Sequence, residues 1–329
     1  MKKWAFAAVL MCLVLALAAC GSSTKDEKSN AASNDDTIKI ENNFGVTSED
    51  GKSTNTVKET VNVPKDPKKV VVFDMGYLDT LDALGLSDRV VGVPQQNIPA
   101  YLKQYKDSKY ANLGGLKEPD FEKIAELNPD VIFISGRQAS QFKEFNEIAP
   151  TVYVGIDTTK YMDSFKANTE LAGKIFNKED AVKTELAKID DQIKELNEKA
   201  TKANEKALIV LGTQGSLSAY GAGSRFGLIH DVFGFGQTDK KIEVSTHGQT
   251  VTSEYVYEKN PDVLFVIDRD SAIGEKSSVK KDLENELIKK TNAYKNGKIV
   301  YLNAETWYLA GGGIESVSQM VTDASAALK

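Results

Sequence analysis

The sequence predicts two similar α/β lobes, each built on a parallel sheet, joined by one long α-helix. Three observations carry that expectation: an internal repeat, strands alternating with helices around each copy, and an uninterrupted helical pattern between the copies. Asn128-Pro129-Asp130-Val131 recurs as Asn260-Pro261-Asp262-Val263, an offset of 132 (260 against 128). Each copy reads as a short helix closed by Asn-Pro, because proline cannot continue a helix. The β-branched run that follows suits a buried parallel strand. A strand precedes each copy, Val70–Phe73 and Ala207–Leu211, and another follows, Thr151–Val154 and Lys298–Leu302. Such alternation implies a parallel sheet in each half. One larger α/β domain is the simpler alternative.

The connector is legible by its spacing. Val182, Leu186, Ile189, Ile193 and Leu196 follow one another at steps of four, three, four and three, with no Pro or Gly from Lys174 to Lys206. A helix from Lys178 to Asn204 would run roughly 40 Å at about 1.5 Å per residue. We therefore expect an N-terminal lobe over 58–173, a connecting helix over 174–205 and a C-terminal lobe over 206–329.

The beginning of the chain bears on compartment. Lys2 and Lys3 precede an apolar run, Ala5 to Leu17, that is shorter than a bilayer-spanning helix needs. The run ends in Leu17-Ala18-Ala19-Cys20 before Gly21, which matches a bacterial lipobox. Residues 1–19 are thus expected to be a signal peptide, and Cys20 to carry the lipid. The mature protein would sit on the outer face of the cell membrane, held by that lipid anchor only, and would be periplasmic if an outer membrane is present. An ordinary signal peptide with an incidental cysteine is the other reading. Cys12 leaves with the leader, so the body would have no thiol for a disulfide or a metal site. Residues 20–57 are rich in Ser, Asn, Asp, Lys and Thr and read as a polar tether, with only Ile38 to Phe44 hinting at a strand. The formal charge of -6 becomes -8 once Lys2 and Lys3 are removed. That balance argues against nucleic-acid binding, which needs a basic face.

Candidate ligand-binding residues follow from the repeat. Arg137 and Arg269 lie just past the C-terminal ends of the two repeat strands, where open parallel sheets bind ligands. Both are expected to face the cleft between the lobes. Arg225 follows the turn Gly221-Ala222-Gly223. Each arginine alone reads equally well as a surface ion pair; three in one cleft favour an anionic ligand. Guanidinium groups stay protonated and offer planar, multiple donors. One such pair at about 4 Å, with an effective dielectric near 20, is worth on the order of 4 kcal/mol before desolvation. His230 sits on an apolar stretch and reads as packing or a local hydrogen bond. His247 lies in the polar loop Ser245–Gln249. Trp307 is a candidate for stacking on a ligand ring or for lobe packing, with Tyr220 a weaker aromatic candidate. Gly311–Gly313 read as the opening of the last helix. Glu122 and Glu254 match across the repeat, in first helical turns where a carboxylate is favourable.

Together these features resemble the class III substrate-binding proteins of ABC transporters, over residues 58–328. The narrower likeness is to the catecholate-siderophore binders, including the petrobactin-type lipoproteins and the enterochelin-uptake proteins. It is carried by Ile134–Gln138, Gly223–Gly227, Thr246–Gly248, Ile267–Arg269 and Trp307–Leu309. The resemblance implies two Rossmann-like lobes, and a receptor that binds a ferric catecholate siderophore between them and delivers it to an ABC permease dimer. It implies no catalysis and no intrinsic cofactor; the ligand is the Fe(III)–siderophore complex, and we expect a monomer. Arg137, Arg225, Arg269, Trp307 and Tyr308 would contact the ligand. His247 and Tyr308 would complete the iron coordination of a tetradentate bis-catecholate, since Fe(III) accepts phenolate and imidazole. Against a hexadentate ligand they would only hydrogen-bond. Glu122 and Glu254 would dock on permease arginines. Haem, cobalamin or a hydroxamate siderophore remain alternatives within the fold. An extracellular hydrolase is a distant alternative: Gly221–Gly227 misses G-x-G-x-x-G because its last glycine falls one residue late, and no Walker, His-Glu-x-x-His or G-x-S-x-G motif occurs.

Overall fold

A computed structural model describes residues 36–47 and 54–329. The expected signal peptide, residues 1–19, and Cys20 lie outside the described residues. The chain opens with β1 (Thr37–Thr47) and β2 (Thr54–Pro64), an antiparallel hairpin. The first lobe follows as β3 (Val70–Val72), α1 (Met75–Ala83), β4 (Val90–Val93), β5 (Ala111–Asn112), α2 (Phe121–Leu127), β6 (Val131–Ile134), α3 (Phe142–Ile148) and β7 (Thr151–Tyr153). Its sheet is wholly parallel, in the order β5-β4-β3-β6-β7. Helices α4 (Tyr161–Phe176) and α5 (Glu179–Ala203) lead to the second lobe. That lobe holds β8 (Lys206–Thr213), β9 (Ser216–Tyr220), α6 (Leu228–Asp231), β10 (Gly236–Gln237), β11 (Gln249–Val251), α7 (Ser253–Lys259) and β12 (Val263–Asp268). It closes with α8 (Arg269–Ala272), α9 (Val279–Leu283), α10 (Asn292–Lys295), β13 (Ile299–Tyr301), α11 (Ala304–Leu309) and α12 (Ile314–Ser325).

Each residue of the repeated motif has a mechanical role. Asn128 and Asn260 adopt φ of 47° and 45° and cap α2 and α7 in the left-handed region, which asparagine tolerates better than most residues. The proline then prevents the helix from continuing. The Asp130 carboxylate accepts from the backbone N–H groups of Lys68 and Lys69 at 2.7 and 2.9 Å, and Asp262 accepts from Lys206 N–H at 3.1 Å. Each aspartate therefore pins the start of the neighbouring strand, β3 or β8. The valine opens a strand whose residues, Val131–Ile134 and Val263–Ile267, are fully buried, as strands covered on both faces require.

The second sheet departs from the expectation of a parallel sheet in each half. Its strands β10, β8, β12 and β13 are parallel and repeat the order of β4, β3, β6 and β7, but β9 runs antiparallel to β8, and β11 antiparallel to β9. Only Gln214 and Gly215 join β8 to β9, and a two-residue connection permits a hairpin and no crossover. Both residues have positive φ, as the twist-compatible hairpin turn demands. The tether expectation also needs correction. Residues 37–47 and 54–57 belong to the β1–β2 hairpin, whose outward half is polar and whose inward Ile40, Asn42 and Phe44 are buried.

The connector is α5, starting at Glu179 because Asn177, at φ 55°, ends α4. Its Val182, Leu186, Ile189, Leu196 and Ala200 are buried in the common core, and the helix packs on α4 and α12. One apolar core runs from Val70 and Phe133 of the first lobe through α5 to Phe265 and Val317 of the second, so Asp36–Lys329 form one compact unit. The lobes also meet at α1 and α12. A Cβ on Gly76 would lie 2.9 Å from the carbonyls of Ala310 and Gly311, so only glycine permits the approach. Gly313 caps α12 as the glycine run suggested, and the acceptor at this helix start is the buried Asp79 carboxyl group. It accepts from Glu315 and Ser316 N–H at 2.8 and 2.7 Å.

Candidate ligand-binding cleft

A cleft of about 880 Å³ opens beyond the C-terminal ends of the central strands. The first lobe lends it Asp74, Ser135–Arg137 and Tyr153, and the second Ser224–Phe226, Val244–His247 and Tyr308. Local structure fixes each contributor. Asp74 caps α1, accepting from Tyr77 N–H at 2.7 Å. The turn after β6 is held by buried Gln138, whose Oε1 accepts from Ser135 N–H at 3.2 Å while its amide donates to the Leu116 carbonyl. Arg225 follows Gly223, whose φ is +69° and whose N–H donates to Asp231 at 2.6 Å.

Tyr308 is the hub. Its backbone carbonyl accepts from Arg137 Nη2 at 2.9 Å and from Arg225 Nη2 at 2.7 Å, one arginine from each lobe. The guanidinium carbon of Arg225 lies 4.3 Å from the Tyr308 ring centre, with those of Arg137 and Arg269 at 6.0 and 5.9 Å. Arg269 does not border the cleft, contrary to expectation. It is the first residue of α8 and is tied to the site through Tyr308, donating to its hydroxyl at 3.2 Å and to Thr213 Oγ1 at 3.2 Å, with Asp270 at 3.7 Å.

This arrangement tunes the site. Burial raises the Tyr308 phenol, but the Arg269 hydrogen bond and the charges of Arg225 and Arg269 outweigh it, and the net shift is downward. Burial and the Arg225 charge lower Arg137, against Asp74 and Tyr308. Burial raises Asp74, against the Tyr77 N–H, Ser135 and Arg137. Asp74 is the one carboxylate among the described residues that border the cleft, whereas Lys117, Arg137, Arg225 and His247 bring positive or protonatable groups. The local balance is cationic in a chain of net charge -6.

His247 is exposed and borders the cleft. The next residue, Gly248, has φ +73°, and a Cβ there would lie 2.8 Å from the Tyr220 ring. Tyr220 is therefore the buried floor under the His247 loop. His230 pairs its Nδ1 with the Phe235 carbonyl at 3.0 Å, and burial lowers its pKa. Trp307 borders the cleft beside Tyr308 but is only 4 % exposed, with its indole N–H donating to Asp323 at 3.0 Å. Glu122 and Glu254 are exposed in the first turns of α2 and α7, outside the cleft. Among the described residues no three His, Cys, Asp or Glu side chains gather as a metal set.

Sequence reasoning missed Asp74, Lys117, Tyr153 and the end of β1. Asp74 was within reach, because it stands just past β3 as Arg137 stands just past β6.

The periplasmic binding protein family profile matches residues 70–306, and the chain belongs to this family of substrate-binding proteins, which are not enzymes. The fold is the class III form of that family. The chain is 50% identical over 324 residues to the petrobactin-binding protein YclQ of Bacillus subtilis, covering 98% of each chain. The crystal structure of YclQ superposes with a TM-score of 0.81 at 53% identity, covering 87% of this chain and 99% of that one. The catecholate-siderophore binding protein VctP of Vibrio cholerae gives 0.77 at 33% identity, covering 86% and 99%.

Proposed function

We propose that the protein is the extracytoplasmic receptor of an ABC importer, which captures a ferric catecholate siderophore in the cleft and delivers it to the permease. The observation that carries this reading is the convergence of Arg137 and Arg225 from opposite lobes on Tyr308. A ferric tris-catecholate is a trianion and a bis-catecholate a monoanion. Two guanidiniums beside a single carboxylate suit either, and give a neutral hydroxamate complex no comparable gain. The similarity to a petrobactin-binding and a catecholate-binding protein supports the same ligand class.

Tyr308 has a second role in this reading. A phenol held below its usual range ionises more readily and becomes a hard oxygen donor suited to Fe(III). With His247 it would fill the two positions that a tetradentate bis-catecholate leaves open. The test is titration of the mature protein with ferric bis-catecholate, tris-catecholate and hydroxamate complexes, read by calorimetry and by the ligand-to-metal absorption band. Catecholates should bind about a hundredfold or more tighter than the hydroxamate, given two charged contacts. The His247→Ala, Tyr308→Phe pair should shift the band of the bis-catecholate alone. Failure to bind any catecholate sinks the reading, while an unshifted band removes iron ligation and leaves the arginines.

Cys20 would carry the lipid that keeps the receptor beside its transporter. Glu122 and Glu254 would be the acidic points, one per lobe, that meet the permease. The Glu122→Ala, Glu254→Ala variant should bind ligand normally in solution yet lose most siderophore-dependent iron uptake in cells. Uptake at the parental rate would dismiss this docking assignment.

A further inference from the structure

One wall of the cleft comes from outside the segment that carries the family match. That match covers residues 70–306, and the β1–β2 hairpin ends before it, at Pro64. Yet Gly45, Val46 and Thr47, the last residues of β1, border the cleft.

The way β1 is held explains this. Asn42 is 4 % exposed and does the work of a strand neighbour for the edge of the first sheet. Its Nδ2 donates to the Thr151 carbonyl at 2.9 Å, and its Oδ1 accepts from Tyr153 N–H at 2.8 Å. The two bonds fix the rung at which β1 meets β7. A one-residue slip would turn Asn42 outward and leave groups of β7 without these partners. Two residues further on, Phe44 lies flat on Tyr153, with ring centres 4.0 Å apart and planes at 9°, and edge-on to Phe142 at 5.4 Å. Tyr153 also borders the cleft, and its phenol crosses over Gly155, where a Cβ would come within 2.3 Å. The same phenol oxygen is 3.8 Å from a Cβ position on Gly136, the neighbour of Arg137. Hairpin, Tyr153 ring and arginine-bearing turn are thus packed in series.

The chemistry of this wall differs from that of the arginine side. Val46, Tyr153, Ile156 and Val244 bring apolar or aromatic surface to the cleft, where Arg137 and Arg225 bring charge. A chelate complex has the same two-sided character: charged oxygens around the metal, and a less polar frame that links the chelating arms. Building on the ligand class proposed above, we infer that Gly45–Thr47, set in place by Asn42 and the Phe44–Tyr153 stack, form a specificity wall that reads the organic frame of the ligand.

The test uses Val46→Trp, which adds bulk at a half-buried position of the rim and leaves Asn42 and Phe44 untouched. Wild type and variant are titrated with a compact ferric bis-catecholate and with a bulky hexadentate ferric tris-catecholate, and thermal melting is followed in parallel. The expected result is a loss of about tenfold or more for the bulky complex and less than about threefold for the compact one, with melting unchanged. Phe44→Ala, which frees the wall without filling the cleft, should move the ratio of the two affinities the opposite way. Unchanged affinities for both complexes in Val46→Trp would overturn the inference. So would equal losses for both, since the contact would then be with the shared iron–catecholate head. A wild-type protein that binds neither complex refutes the ligand class itself, and the specificity wall with it.

Discussion

Arg225→Ala is expected to weaken ferric catecholate binding by about a hundredfold, without lowering the stability of the ligand-free protein. Removing one partner of a close, desolvated charge pair costs about 2–5 kcal/mol, and each 1.4 kcal/mol is roughly a factor of ten. Arg225 borders the cleft and stands nearest the Tyr308 ring of the three arginines. The ligand-free state tolerates its loss for two reasons. Arg137 still donates to the Tyr308 carbonyl, and the repulsion between Arg137 and Arg225 disappears. Arg225→Lys keeps the charge but not the planar fork, and should fall between wild type and alanine. Arg269→Ala makes the informative contrast. It removes the hydrogen bond to the Tyr308 hydroxyl, and with it the strongest influence holding the phenol down. It should therefore harm a tetradentate ligand that needs the Tyr308 oxygen more than a hexadentate one. Calorimetric titration at fixed salt measures all three variants; affinity of Arg225→Ala within about threefold of wild type would contradict the argument.

Why Arg225 was legible in the sequence while the role of Arg269 was not is a matter of scale. The strand-end rule says at which end of a sheet a residue emerges, and Arg137 does border the cleft there. It does not say on which side of a neighbouring helix the side chain then falls. Arg269 emerges at the right end, and its tie to the site is the hydrogen bond to the Tyr308 hydroxyl. Trp307 and Tyr308 show the same limit. They are consecutive on α11, so their side chains diverge by about 100°; Tyr308 is hydrogen-bonded to the arginine set, while the Trp307 indole is bonded to Asp323. The repeat was readable because its causes are local: an asparagine that tolerates positive φ, a proline that ends a helix and an aspartate that reaches one strand away. The direction of β9 was hidden because Gln214 gives no hint of its positive φ. The hairpin reads as tether in the sequence because half of its residues face water and dominate the composition, while the inward Asn42 and Phe44 find their partners more than ninety residues away in sequence, at Thr151 and Tyr153.

Asp79→Ala is expected to lower stability by about 3–5 kcal/mol, a large share of the roughly 5–15 kcal/mol typical of a whole domain. Asp79 is completely buried and takes three donors: Glu315 N–H, Ser316 N–H and the Tyr101 hydroxyl at 3.0 Å. Leaving such groups without partners costs about 1–3 kcal/mol each. Because α1 belongs to the first lobe and α12 to the second, the damage falls where the lobes meet. Asp79→Asn keeps the shape and one acceptor, and should lose less. The pair also makes a pH experiment. Burial raises Asp79 from its ordinary 3.8 to about 7, despite the two backbone donors. Between those values the folded state holds a proton that the unfolded chain has released. The stabilisation from this group is therefore fully present below about pH 4, declines as pH rises towards 7 and is level above it. Asp79→Asn has no such titration, so the advantage of wild type over Asp79→Asn in urea unfolding should be larger at pH 5 than at pH 8. An equal advantage at both would mean that the three donors hold Asp79 ionised throughout. The latch between α1 and α12 would then be a plain charged cap, independent of pH between about 5 and 8.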